Sequence, residues 1–266
     1  MSHYRLIVAL PEPPDISAGT ALGDALLRDL PPLLGEPDYA GGDADPAGRW
    51  WDWWMVGGRF ENGFLCTDPD HSLVLPAEDG DPRMVTAAPV SLLDLDAQRD
   101  ARAREAVDRW DRANGILRHR PETETLSAFV LRGRERAERA CPGSTAAHVR
   151  TPEWRIAEAE RSAALKAYHA QDAVRELREA GLTHFLGCAV DHYSAPREEF
   201  VEEARWSAVP GWALIDTGGA WHGMEHLSDA GDDEARRALR EHLRHMNTLL
   251  DALPGDAYLV TVDLHA

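Results

Sequence analysis

The sequence predicts an α+β fold of ferredoxin-like type, an α/β sandwich whose first strand (2–10) and last strand (257–265) lie in one sheet. Two observations predict this class. Short β-rich runs are interspersed with segments whose apolar residues recur at helical spacing. Each terminal strand is also next to an amphipathic helix, as expected when helices cover a sheet. We expect one α+β domain over 1–266, with a helical insertion at about 116–181.

The first part of the chain predicts a strand, a helix and a loop. The run HYRLIVAL stops at PEPP, whose prolines cannot continue a strand ladder. Apolar residues then recur at helical spacing over 17–34, with Ser17 as the N-cap and Pro31-Pro32 ending the pattern. The stretch 35–48 is rich in Gly, Asp and Pro and predicts a long loop.

A tryptophan-rich hairpin is predicted next. The runs WWDWWMV and RFENGFLC lie on either side of Gly57-Gly58, and two apolar runs around such a turn are typical of a β-hairpin. Further strand is expected within 72–75 and 83–90.

The middle of the chain predicts helices. One is expected from Leu92 to Asn114, ended by Gly115. The Arg-rich stretch 116–150 is weakly patterned and predicts a broken helix. Thr151-Pro152-Glu153 combines an N-cap, a proline at the first helical position and an acid in the first turn, and Gly181 supplies a stop. This long helix is expected to pack as a hairpin against the Arg-rich segment.

The last part predicts alternating strands and helices. Strands are expected at 184–190 and 211–216, and a short helix between them at 196–206. Gly218-Gly219 predicts a turn. An amphipathic helix over 232–253 precedes the last strand.

Composition excludes several classes of function. The 266 residues carry a formal net charge of −18, which repels nucleic-acid phosphates and anionic membranes, so direct nucleic-acid binding is not expected. No apolar run approaches the length of a membrane span, and the start lacks the features of a signal peptide, so we expect a cytoplasmic protein. The three cysteines show no metal or disulfide spacing. No nucleotide-cofactor motif follows any predicted strand.

Several motifs resemble those of one protein family. The segments WDWWMVGGRF, LLDLDA, PREEFVEEAR, GWALIDTGGAWHG and LVTVDLHA, in this order, are similar to a family of uncharacterised proteins met in actinobacteria and bacteriophages. Leu264 stands where members of that family usually carry Cys, and 222–226 replace an apolar run. The resemblance brings no activity with it.

The two chain ends carry candidate metal ligands. Side chains alternate along a strand, so Asp263 and His265 share a face. If the terminal strands pair antiparallel, His3 lies near His265. Two imidazoles and a carboxylate match the facial pattern that binds Fe(II) and leaves coordination positions open, and Zn is the other candidate. Alternatively, both histidines are frayed terminal residues.

His222 is a further candidate ligand. It follows Trp221 and could complete a site with His3, Asp263 and His265. With the nearby Glu225 and His226 it forms H-x-x-E-H, which is weak as a motif because a loop lacks the helical face on which the zinc signature places its histidines.

The tryptophan-rich segment suggests a substrate pocket. Asp52 and Arg59 are candidate catalytic residues, with Arg59 able to clamp a carboxylate or phosphate. Trp51, Trp53, Trp54 and Trp221 are candidate pocket residues for an aromatic or sugar-like ligand. The alternative is a structural Asp52–Arg59 ion pair across Gly57-Gly58.

Two functions remain open from the sequence. One is a divalent-metal-dependent enzyme that acts on a small molecule in a Trp-lined pocket, with non-heme Fe(II)-type chemistry as one form. The other is a non-catalytic binding protein of phage or defence type that engages a protein or nucleotide partner. No serine or cysteine nucleophile lies in a recognisable elbow, so a hydrolase triad is not predicted.

Overall fold

The chain forms two compact units, one from residues 1–102 and 203–266 and the other from residues 103–202. The structure is a computed structural model, and it describes residues 3–16, 20–35, 51, 53–184, 187–223 and 232–265. The predicted insertion at 116–181 lies inside the second unit. In the described part of the chain, no helix is both long enough and apolar enough to cross a membrane.

The described strands form one mixed sheet in the first unit. They are β1 (His3–Leu10), β2 (Trp53–Val56), β3 (Phe64–Leu65), β4 (Leu75–Pro76), β5 (Met84–Pro89), β6 (Ala213–Ile215), β7 (Trp221–Gly223) and β8 (Tyr258–His265). Their order across the sheet is β3-β5-β8-β1-β6-β7, with β2 also paired to β8 and β4 to β5.

The described helices occur in both units. They are α1 (Leu22–Asp29), α2 (Pro31–Leu34), α3 (Leu95–Arg118), α4 (Leu126–Ala140), α5 (Pro152–His169), α6 (Asp172–Glu179), α7 (Ala189–Tyr193), α8 (Arg197–Trp206) and α9 (Asp232–Asp251). The α+β class is confirmed, and the first and last strands are direct neighbours within the sheet.

Helices cover both faces of the central strands β1 and β8. On one face Leu6 and Val262 pack with Leu30, which follows α1. On the other face Ile7 and Leu259 belong to the same apolar cluster as Met246 and Leu250 of α9. Burying each such side chain contributes on the order of 1.5–3 kcal/mol, so these two layers hold the strands in place.

The predicted tryptophan hairpin is wrong. Strand β2 pairs antiparallel with β8, placing Trp53 opposite His265, whereas β3 pairs with β5. Gly57 has a φ of +71° and leads into a 3-10 turn (Gly58–Phe60) that turns the chain away from β2. The two glycines thus mark a turn, as predicted, but a turn signal does not determine which strand becomes the partner.

The helical unit departs from the predicted boundaries at two places. Helix α3 runs through Gly115 to Arg118, because an exposed glycine inside a helix costs only about 1 kcal/mol and no competing cap ends the helix there. The long helix predicted from Thr151 to Gly181 is divided into α5 and α6. Its predicted start is confirmed, since Thr151 caps α5 through its side chain.

The strand predicted at 184–190 is also wrong where the structure describes it, since Ala189–Tyr193 form α7; residues 185–186 lie outside the described residues. Val190 and Tyr193 pack in the core of the helical unit with Tyr168 and Leu177. A short apolar run can be a buried strand or a buried helical turn, and periodicity alone does not distinguish them.

Helices α4 and α5 form the expected hairpin. They lie close together at Gly133, where an added Cβ would lie 3.2 Å from the backbone oxygen of Glu160 and 3.3 Å from Cβ of Ala164. A side chain at this position would push the helices apart.

Asp191 of α7 caps the N-terminus of α4. Its carboxylate accepts hydrogen bonds from the backbone N–H of Leu126 at 2.7 Å and from the N–H and hydroxyl of Ser127. These groups would otherwise have no partner at the helix start, so Asp191 joins two segments distant in sequence.

We expect Asp191→Ala to lower the free energy of unfolding by about 2 kcal/mol, because hydrogen bonds to a carboxylate contribute about 1.5–3 kcal/mol. The matched control is Asp172→Ala, which removes an exposed acid paired with Arg175 in the first turn of α6 and is expected to cost at most about 0.5 kcal/mol. Urea denaturation followed by circular dichroism measures both. Equal losses in the two variants would contradict the capping role.

Candidate functional site

The register of β1 and β8 brings the predicted terminal ligands together. His3 lies opposite His265, and Arg5 lies opposite Asp263. Because directly opposed residues and every second residue along a strand share a face, all four side chains leave the same face of the sheet. The histidines therefore belong to an ordered, paired part of the sheet rather than to frayed ends.

His3 and Asp263 form a hydrogen-bonded pair. The Nδ1–H of His3 donates to Oδ1 of Asp263 at 2.9 Å. The other oxygen, Oδ2, accepts the backbone N–H of Arg59 at 3.1 Å. Asp263 is only 1% exposed, so both of its oxygens are paired inside the protein and it acts on His3 by orienting the imidazole.

Two further aromatic rings, those of His265 and Trp53, lie beside this pair. The His265 ring stacks on Trp53 with centroids 5.2 Å apart and planes 10° apart. The His3 ring meets both edge-on, at 5.2 Å from His265 and 5.8 Å from Trp53. We call His3, Asp263, His265 and Trp53 the terminal-strand cluster. The stacking fixes the positions of both imidazoles.

Gly57 and Gly58 make the close approach of Asp263 possible. Gly58 has a φ of +55°, and an added Cβ would lie 2.8 Å from both Cβ and Oδ2 of Asp263. The Gly57 N–H donates to the backbone oxygen of Thr261 at 2.8 Å. The group that approaches the backbone at these glycines is thus a carboxylate of the chain itself.

Arg5 is a partly buried cation beside the cluster, and the sequence reasoning missed it. Its guanidinium donates to the backbone oxygens of Gly63 and Val209, and burial lowers its pKa to about 10. Its Nε is buried without a hydrogen-bond partner in the described part of the chain. The guanidinium holds two loop segments against β1. A single Arg within an apolar strand gives no sequence signal for this role.

Of the two predicted catalytic residues, Asp52 and Arg59, the structure describes only Arg59. Asp52 lies outside the described residues. Arg59 reaches the cluster through its backbone N–H, while its side chain is exposed and forms no ion pair within the described residues.

The four predicted pocket tryptophans do not line one pocket. Trp54 is 1% exposed and donates its indole N–H to the backbone oxygen of Gly35 at 2.8 Å, so it is a core residue. Trp51 stacks on Trp221 with centroids 5.4 Å apart. Trp53 alone of the four joins the terminal-strand cluster. Alternation along β2 separates neighbouring indoles onto opposite faces.

His222 is not part of the terminal-strand cluster. It lies opposite Leu214 in β6, which lies opposite Ile7 in β1. Two strand spacings and four residues separate it from His3, roughly 16 Å in total. Instead, His222 donates through Nε2 to Oδ2 of Asp216 at 2.8 Å, within the β6–β7 hairpin.

A second imidazole cluster, in the helical unit, was also missed. Sγ of Cys188 lies 3.0 Å from Nδ1 of His184, and the rings of His184 and His192 are 4.5 Å apart. Burial lowers the pKa of His184 and favours its neutral form. The repeated spacing of four residues from His184 to Cys188 to His192 was the available signal.

Comparison with protein-family models, with curated proteins and with solved structures finds no match to this chain. The resemblance to the actinobacterial and phage family therefore stays a prediction.

We expect Gly58→Ala to destabilise the protein by about 1–3 kcal/mol and to displace the Asp263 carboxylate, because the new Cβ meets it and the φ is unfavourable. Gly115→Ala is the control, and its effect on stability is expected to have the opposite sign. Gly115 lies in α3 with open space around it, so this change is expected to stabilise by about 0.5–1 kcal/mol. Urea denaturation gives the stabilities, and NMR of the His3 imidazole reports the displacement. Stabilisation by both changes would rule out the proposed close approach.

We expect His222→Leu to raise the pKa of Asp216, because the hydrogen bond from His222 is the largest cause of its lowered value. The pKa should stay somewhat low, since the N–H groups of Gly218 and Ala220 still donate to the carboxylate. A ¹³C NMR titration of the Asp216 carboxyl measures this.

The Asp216–His222 hydrogen bond also predicts how the stability of the protein depends on pH. A carboxyl whose pKa is lowered on folding contributes stability that is present above its unfolded pKa of about 3.9 and is lost as the pH falls through the folded value. The stability of the wild type should therefore fall more steeply below about pH 4 than that of His222→Leu. Parallel pH profiles would contradict the Asp216–His222 hydrogen bond.

Proposed function

We propose that this chain is an enzyme acting on a small molecule, with the terminal-strand cluster as its reactive centre and a divalent metal, Fe or Zn, as its cofactor. The hydrogen bond from His3 Nδ1 to Asp263 supports this proposal most directly. In metal sites, a ligating histidine commonly donates its other ring N–H to a carboxylate, which fixes the tautomer and makes the ligating nitrogen more basic.

The hydrogen bonds of the cluster favour different roles for His3, Asp263 and His265. Both oxygens of Asp263 are engaged, so Asp263 would orient His3 instead of binding the metal. His3 would coordinate through Nε2, and His265 is the second imidazole. Among the described residues, no group of three or more His, Cys, Asp or Glu side chains is arranged to hold a metal ion. The proposal therefore requires at least one further ligand, and a substrate or water oxygen suits an open coordination position.

The surroundings suit chemistry on a small ligand. His3 has 14% of its side chain exposed, whereas Asp263 beneath it has 1%. The reactive imidazole would thus be accessible while its orienting acid is shielded. A bound divalent ion would polarise a substrate oxygen and activate water. The protein would supply fixed imidazoles, the Trp53 ring as an apolar wall, and the exposed Arg59 side chain for an anionic group.

Elemental analysis of the protein purified without a His tag tests the metal. We expect a stoichiometric divalent metal in the wild type and at least a tenfold loss of affinity in Asp263→Asn, the size expected when the partner of a ligating histidine is changed. His3→Gln should abolish binding. His119→Gln, a change at an exposed histidine directly after α3, is the matched control and should leave the metal content unchanged.

Two results would overturn the metal proposal. One is a metal-free wild type that is folded by circular dichroism and gains no metal on dialysis against Fe(II) or Zn(II). The other is the same metal content in His3→Gln as in the wild type.

A second candidate is a non-catalytic binding protein, supported by the aromatic surface on the first unit. Trp221 is 38% exposed although it stacks on Trp51, and Trp212 lies 6.2 Å from it. Such stacked indoles suit an aromatic or nucleotide base. A folded, metal-free protein would favour this candidate.

A further inference from the structure

The helical unit contains a cavity of about 290 Å³ between α4, α5 and a 3-10 turn, Ser144–Ala146. It is distinct from the terminal-strand cluster, and all of its lining residues lie within 130–161. The polar and aromatic residues in its wall are Arg134, Ser144, Thr145, Trp154, Glu158 and Arg161.

The local sequence explains why these side chains converge. Trp154, Glu158 and Arg161 are spaced by four and three residues, so they lie on one face of α5. The 3-10 turn is tied to α4 by Glu138, which accepts hydrogen bonds from the Gly143 N–H and the Thr145 hydroxyl. The wall of the cavity is therefore fixed on three sides by secondary structure.

Ser144 is an unusual wall residue because it is buried but unpaired. It is 1% exposed, and its hydroxyl has no hydrogen-bond partner among the described residues. A buried polar group without a partner is rare in folded proteins. A hydroxyl of this kind in a cavity wall is suited to bond a ligand.

The cavity wall also offers a guanidinium for an anionic ligand. Arg134 forms no ion pair in the part of the chain that the structure describes. Arg161 is paired only loosely, with Glu158 at 3.4 Å. Glu158 is the one carboxylate among the lining residues, and Glu138 beside the cavity is engaged by the Gly143 N–H and the Thr145 hydroxyl. The guanidinium of Arg134 is therefore the wall cation that can pair with the carboxylate of a ligand.

We propose that this cavity binds a small organic anion, a carboxylate attached to an apolar ring. Arg134 pairs with the carboxylate, Ser144 donates a hydrogen bond to it, and the Trp154 ring packs against the apolar part. The volume is close to the lower end of small-ligand pockets, about 300 Å³, so the ligand is about the size of one substituted ring.

NMR titration of the full-length protein with benzoate tests this site. We expect saturable shifts of the Trp154 indole N–H, assigned with Trp154→Phe, and of the Ser144 amide. Benzamide has the same shape without the charge and should bind at least about tenfold more weakly, since charge-assisted hydrogen bonds are about twice as strong as neutral ones. Inorganic phosphate, which lacks the apolar part, should also bind more weakly than benzoate.

Substitutions assign the contacts. Arg134→Gln should weaken benzoate binding about tenfold or more, whereas Arg139→Gln, which removes an exposed charge of α4 outside the cavity, should leave it unchanged. Ser144→Ala should weaken binding several-fold without lowering the urea midpoint, because its hydroxyl forms no hydrogen bond with any described residue. Two results would each overturn the proposal: no saturable shift at either reporter, or equal affinities of Arg134→Gln and Arg139→Gln.

Discussion

The antiparallel pairing of β1 with β8 is the constraint on which the candidate site depends. Their register extends from His3 opposite His265 to Leu10 opposite Tyr258. A slip of one residue would turn every side chain of a strand to the other face. Because Leu6 and Val262 must face the core beneath α1, His3 and Asp263 must face the opposite side. The apolar core thus determines the position of the polar cluster.

The burial of Asp263 is a second constraint on the fold. A buried carboxylate is costly unless its oxygens are paired. Here a side chain from β1 and a backbone N–H from the 3-10 turn after β2 supply the partners. The turn can reach Asp263 only because Gly58 has no side chain and a positive φ. Three segments far apart in sequence therefore meet at one carboxylate, and all three belong to the sheet unit.

The fold class and the grouping of His3, Asp263 and His265 could be predicted from the sequence, because both follow from strand alternation and an assumed pairing of the terminal strands. The sequence did not predict features that depend on which distant strands pair with each other. The partner of β2, the core position of Trp54 and the distance of His222 all follow from strand order, which local patterns do not contain. Arg5 was missed for a similar reason, since its partners are brought to it by tertiary packing, whereas the His184–Cys188 pair did have a local signal in its spacing of four residues.

The protonation of the His3 ring tests the central claim most directly. Long-range ¹H–¹⁵N NMR of the chelator-treated protein distinguishes the two neutral tautomers of the imidazole. We expect the proton on Nδ1, held by Asp263, with Nε2 unprotonated and free to coordinate or accept a proton. In Asp263→Asn this preference should weaken. A His3 ring with its proton on Nε2 in the wild type, or one unaffected by Asp263→Asn, would contradict the proposed pairing and the reactive role of the cluster.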